Sequence, residues 1–145
     1  MSISKRILVP IDFSKPSLHA LEYAKSLATS LGASLDLLHV VPNPYISDPS
    51  GLYTALPQSL LDDFDRDARA RLEGVVTPEE RKSFQVQNAI KIGNPLSEIV
   101  DYARVVPVDL IVMGTNGRSG VSHLLLGSVA ERVVRTASCP VLTVR

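Results

Sequence analysis

DLIVMGTNGRSGVSHLLLGS, residues 109 to 128, sets an uninterrupted apolar run against a segment holding four glycines, an arginine and several hydroxyls. How this stretch is read decides the fold. Asn116-Gly117 between apolar flanks is a hairpin signal, which would make the sheet antiparallel here. Val121 to Leu126 does not alternate, however, so the returning strand of a hairpin is missing. The alternative is a buried strand at Leu110–Met113, a loop, and a helix beginning near Val129 and running through Val134.

Working outward, the same order recurs. Arg6 to Ile11 is a short β-branched run that reads as a strand, with Pro10 at its end because a central strand cannot spare an amide. Ser14 is a candidate N-cap with Pro16 in the first turn. Leu18, Leu21, Ala24, Leu27, Ala28 and Leu31 then form a helical stripe that Gly32 can end. Ser34–Val41 is a second strand, Phe84–Ile92 a third, and Val141–Val144 a last one behind Pro140. Leu60, Leu61, Phe64, Ala68, Leu72 and Val75 mark a helix before the third strand, and Pro95 opens another that runs through Val105. Strands alternate with helices throughout, which predicts one doubly wound α/β domain over residues 1–145 with a mostly parallel sheet covered on both faces.

The 145 residues are enough for one sizeable core, and 45% of them are hydrophobic. Fifteen Lys+Arg balance fifteen Asp+Glu, which argues against nucleic acid or an anionic membrane as the main partner. One cysteine, Cys139, excludes an intramolecular disulfide framework and suits a reducing cytosol; a buried rather than reactive thiol is expected. The apolar stretch behind Lys5-Arg6 is stopped by Pro10 and Asp12, short of a signal-peptide core, and no segment nears the roughly 20 residues of a membrane span. A cytoplasmic location is the expectation. Pro42–Gln58, with four prolines, is a long connection that suits either an exposed excursion or a lid.

Asp62, Asp63, Asp65 and Asp67 invite a metal hypothesis, but Asp62–Arg66, Asp65–Arg69 and Asp67–Arg71 are spaced i, i+4. A solvated helix face carrying those pairs is the expected arrangement. His19 is expected at the surface, His39 near the pocket as a core or rim residue with a supporting role as the alternative, and His123 in the glycine-rich loop; none makes a metal-ligand pair.

In an open parallel sheet, ligands bind beyond the carboxyl ends of the strands where the strand order reverses. Asp12 and Met113-Gly114 stand at such ends, and Gly127-Ser128 directly precedes a helix whose free amides and dipole favour a phosphate. Ser128 could cap that helix or donate to a phosphate oxygen, and Arg118 could supply positive charge. The pattern is neither a P-loop nor GxGxxG, and it lacks a nucleophile elbow.

Gly114-x2-Gly117-x9-Gly127-Ser128 resembles the ATP-binding signature of the universal stress protein family. Ile7–Ser14, Leu37–Val40, Gly93-Asn-Pro95, Asp109–Gly114 and Ser138–Val144 extend that resemblance over nearly the whole chain. The resemblance implies five parallel strands ordered 3-2-1-4-5 and places the chain in the ATP-binding class. It further implies that Pro10, Asp12 and Val40 line the adenine and ribose end, with Met113 and Gly114 beside the nucleoside. Gly117, Arg118, Gly127, Ser128 and Val129 would hold the phosphates of ATP carried with Mg²⁺. A homodimer through strand 141–144 is implied as well, and the apolar chain end agrees with an edge that needs covering. No general base or water-positioning residue is evident, so the expected role is a regulatory nucleotide binder with slow hydrolysis at most. A nucleotide-cleaving enzyme on the same site, and an interaction module that binds no nucleotide, are the alternatives.

Overall fold

The computed structural model describes residues 5–42, 57–115 and 126–145. Its elements, in chain order, are β1 (Arg6–Pro10), α1 (Lys15–Leu31), β2 (Ser34–Pro42), α2 (Gln58–Glu73), α3 (Pro78–Ser83), β3 (Gln87–Gly93), α4 (Pro95–Val105), β4 (Leu110–Gly114), α5 (Ser128–Thr136) and β5 (Val141–Val144). All strands of the sheet pair in parallel, in the order β3-β2-β1-β4-β5, so the doubly wound architecture holds.

The strand runs bury both of their faces. Ile7, Val9 and Ile11 join Leu35 and Leu37 beneath α1 and the end of α2, in one core with Ala20, Ala24 and Leu72. Leu8, Leu38 and Val40 pack on the opposite face against Ile99 and Ala103 of α4 and Val133 of α5. Period-2 alternation therefore sends successive apolar residues into two separate cores, which is why the strands read as continuous apolar runs.

Local signals explain most boundaries. The Ser14 side chain caps α1 at Ser17, and Gly32 ends that helix at φ 64. The buried positions of α1 include Ala20, Ala24 and Ala28, while Leu18 and Leu27 are only partly buried and Leu31 is 46% exposed. Leu21, Ala24 and Ala28 of the expected stripe are buried and are joined by Ala20, so the buried face is narrower than expected and leaves Leu18, Leu27 and Leu31 at its margin.

Two further expectations are corrected. Phe84 does not begin the third strand: Gln85 turns through φ 48, and β3 starts at Gln87. Ahead of it lies α3, opened by a Thr77–Glu80 capping box with Pro in the first turn. Of the anticipated Asp–Arg pairs only Asp65–Arg69 forms, at 2.8 Å. Arg66 pairs instead with Asp63, Asp62 accepts from Gln58, and the Arg71 guanidinium lies over the Phe13 ring, 4.0 Å from its centroid.

Candidate functional site

The strand order reverses direction beside β1, which pairs with β2 on one side and β4 on the other. Beyond the carboxyl ends of these strands lies a cavity of about 240 Å³. Its floor is Pro10, Leu38, Val40 and Met113, and its walls include Asp12, Thr115 and the first turn of α5 from Ser128 to Ala130.

Eight sequence-predicted residues come together there: Pro10, Asp12, Val40, Met113, Gly114, Gly127, Ser128 and Val129 all line the cavity. Gly117, Arg118 and His123 lie outside the described residues, as does most of the Pro42–Gln58 connection. The cavity also takes Pro42 from the end of β2, and Pro95 and Ile99 from α4. Sequence reasoning did not select these last residues. The signal was the same one used for Asp12, a position at the carboxyl edge of a strand or the helix start following it.

Asp12 serves the turn as well as the cavity. Its Oδ1 accepts from the Ser14 amide at 2.9 Å and from the Ser14 hydroxyl, fixing the residue that caps α1. His39, 7% exposed, has Nδ1 2.7 Å from the Ile11 carbonyl oxygen and also borders the cavity. That contact gives a partner to a carbonyl just past the end of β1, where the strand ladder no longer supplies one.

Gly114 matters for a reason separate from any ligand. A β-carbon there would lie 2.8 Å from the Pro16 carbonyl carbon and 2.9 Å from its Cβ, so only glycine lets β4 approach the start of α1. Thr115 then closes the base of the following loop: its amide donates to Val144, and its carbonyl accepts from the Gly127 amide at 2.5 Å.

The helix starts at this edge are not alike. Side chains of Ser14 and Asn94 cap α1 and α4. The N-cap of α5 is Gly127, with no side-chain hydrogen bond, so Ser128 is the first helical residue and, of its two expected roles, does not take that of the cap. The first-turn amides of α5 therefore face the cavity without a side-chain acceptor from their own cap, the arrangement that favours an anion. Among the described residues no group of three or more His, Cys, Asp or Glu could hold a metal ion.

Two other features lie elsewhere. His19 is exposed on α1. Cys139 is half-buried rather than fully buried; burial, followed by the Asp109 charge, raises its thiol pKa and makes it a poor nucleophile. Near the amino ends of the strands, sequence reasoning missed Asp36, a carboxylate only 1% exposed. Tyr102 donates to its Oδ2 at 2.6 Å, and Arg6 Nε stands 3.4 Å from Oδ1, close enough for an ion pair but not aligned as a hydrogen bond. Burial, then the hydrogen bond to Asp36, drives the Tyr102 phenol well above its ordinary pKa.

A doubly wound α/β domain with a ligand-sized cavity at its switch point is a class with many functions. The family is narrower: the universal stress protein family model matches residues 4–145, and the chain belongs to that family. It is 36% identical to universal stress protein MJ0531 of Methanocaldococcus jannaschii, over 99% of this chain and 84% of that protein. The solved structure of MJ0577, from the same organism, superposes with a TM-score of 0.78 at 30% identity, covering 99% of this chain and 96% of the other. A universal stress protein solved in complex with cAMP superposes at 0.60 with 26% identity, over 99% and 98% of the two chains.

Proposed function

We propose that the chain binds ATP, with Mg²⁺, in the cavity beyond β1 and β4, and acts as a nucleotide-dependent regulatory protein. The observation that supports this reading is the α5 start: a helix terminus whose own N-cap, Gly127, offers no side-chain acceptor, opening onto a cavity whose other described surfaces are largely apolar. A polyphosphate fits the first and a purine nucleoside the second. The cAMP complex of a relative agrees with an adenine nucleotide as the ligand class.

In this reading Pro10, Val40 and Met113 pack against the nucleoside, and Asp12 accepts from ribose hydroxyls or from water on the metal. Gly127, Ser128 and Val129 present amides to the phosphates, joined by Gly117 of the glycine signature and by Arg118 beside it, as the family resemblance implies. Mg²⁺ needs little from the protein, because it is commonly held by phosphates and one or two carboxylates. Asp12 is the carboxylate on the cavity wall among the described residues. The reading is of binding rather than turnover. Asp12 and His39 are the titratable groups lining the cavity among the described residues, and both are engaged in holding the β1–α1 turn. Two chains would pair through β5, which lies at the sheet edge.

The test is calorimetric titration of ATP and Mg²⁺ into nucleotide-stripped protein, alongside Gly117→Val. Saturable binding that weakens by about tenfold or more in the variant, a loss of at least about 1.4 kcal/mol, supports a phosphate cradle. No binding in the parent would overturn the reading in favour of an interaction module. Fast phosphate release abolished by Asp12→Ala would overturn it in favour of an enzyme.

A further inference from the structure

Phe13 stands next to Asp12 and has φ 65, a left-handed conformation that a bulky residue rarely adopts. Such a conformation persists only where its surroundings over-determine it. Here they do so from two sides of the chain. The His39 ring, anchored by Nδ1 to the Ile11 carbonyl, lies with its centroid 4.7 Å from that of Phe13. From α2, the Arg71 guanidinium covers the Phe13 ring at 4.0 Å. Arg71 takes this place although Asp67 stands one turn before it, a partner the helix offers at i−4.

We propose that Phe13 is a positioning residue for the cavity: packed against His39 and Arg71, it holds the β1–α1 turn in the form that sets the Asp12 carboxylate on the cavity wall. Phe13 is not among the described residues that line the cavity. It acts through Asp12, its chain neighbour, whose Oδ1 is in turn tied to Ser14. α2 thereby becomes part of the site's support, although none of its residues borders the cavity. The inference rests on the nucleotide reading of the cavity and extends it to a residue and a helix that no glycine signature includes.

The experiment is titration of ATP with Mg²⁺ into the parent, Phe13→Gly, Arg71→Gln and Arg71→Lys, with the first also made in an Asp12→Ala background. Glycine accepts φ 65 freely, so Phe13→Gly keeps the turn accessible while removing the ring that fixes it. Its affinity is expected to fall about fivefold. Arg71 is exposed, so its replacement leaves the fold intact; Arg71→Gln should cost about two- to fivefold, the size of an exposed cation–π contact. Arg71→Lys, which keeps the cation, should recover most of that loss. In the Asp12→Ala background Phe13→Gly should have little further effect, because the residue it positions is gone. Equal losses with and without Asp12 would mean general damage and overturn the proposal, as would unchanged affinity in Phe13→Gly. A parent that binds no nucleotide would overturn the cavity's reading and this inference together, whereas a parent that binds normally beside unaffected variants overturns this inference alone.

Discussion

At Gly114 a single added methyl would have to displace backbone, since its nearest neighbours are the carbonyl carbon and oxygen of Pro16 and not a flexible side-chain end. Gly114→Ala should therefore destabilise the protein by about 1–3 kcal/mol, read as a lower urea midpoint with an unchanged slope. The glycine was visible in the sequence as part of a ligand signature, but its packing role was not. The contact joins residues nearly a hundred positions apart, and no local pattern encodes it. Asp36 makes the same point from the polar side. Nothing local in the apolar run of β2 marks its aspartate as a buried acceptor, because the hydroxyl partner lies on α4. Tyr102→Phe leaves that buried carboxylate with the misaligned Arg6 contact alone. Denaturant unfolding should show a loss of about 1–3 kcal/mol, the cost of stranding a buried acceptor.

Among the elements, the long periodic ones were legible and the short polar one was not. Seventeen residues of α1 and the apolar runs of β1, β2 and β4 carry periodicity enough to identify themselves. α3 has six residues and buries none of them, so its only signal is Thr77-Pro-Glu-Glu80, a capping box rather than a stripe. What holds α3 to the body is charge: Glu80 reaches Lys25 of α1 at 2.8 Å while accepting from the Thr77 amide. Thr77→Ala should cost about 1 kcal/mol through loss of the cap. A pH effect follows from the same residue. The Lys25 hydrogen bond, then that of the Thr77 backbone, depresses the Glu80 pKa in the folded state. The unfolded chain thus holds the proton more tightly. The stabilisation is complete above the ordinary glutamate range and disappears as the pH falls through the depressed folded value. Urea unfolding followed from neutral pH to about pH 3 should therefore slope less steeply in Glu80→Gln than in the parent.

At the scale of the whole molecule, the β-α order, strand order and parallel sheet follow from pattern and resemblance together, and eight of ten named site residues converge on one cavity because strand ends at a switch point must meet. What no pattern carried is the support behind that site, such as the left-handed Phe13, since phenylalanine offers no sign of such a backbone. The open edge of the sheet allows one more prediction. Ile111 and Thr115 donate to the carbonyls of Pro140 and Val144, so even-numbered residues of β5 face β4. The intervening amides of Val141 and Thr143 point outward, where a second copy of the chain could add its own strand. Proline at 143 would remove one outward amide and leave the β4 ladder untouched, as an edge strand permits. If two chains pair through β5, Thr143→Pro should sediment as a monomer at concentrations where the parent is a dimer. No residue of β5 is among the described residues that line the cavity. ATP affinity should accordingly survive in the monomer, and a parallel loss of binding would show instead that the pocket depends on its partner.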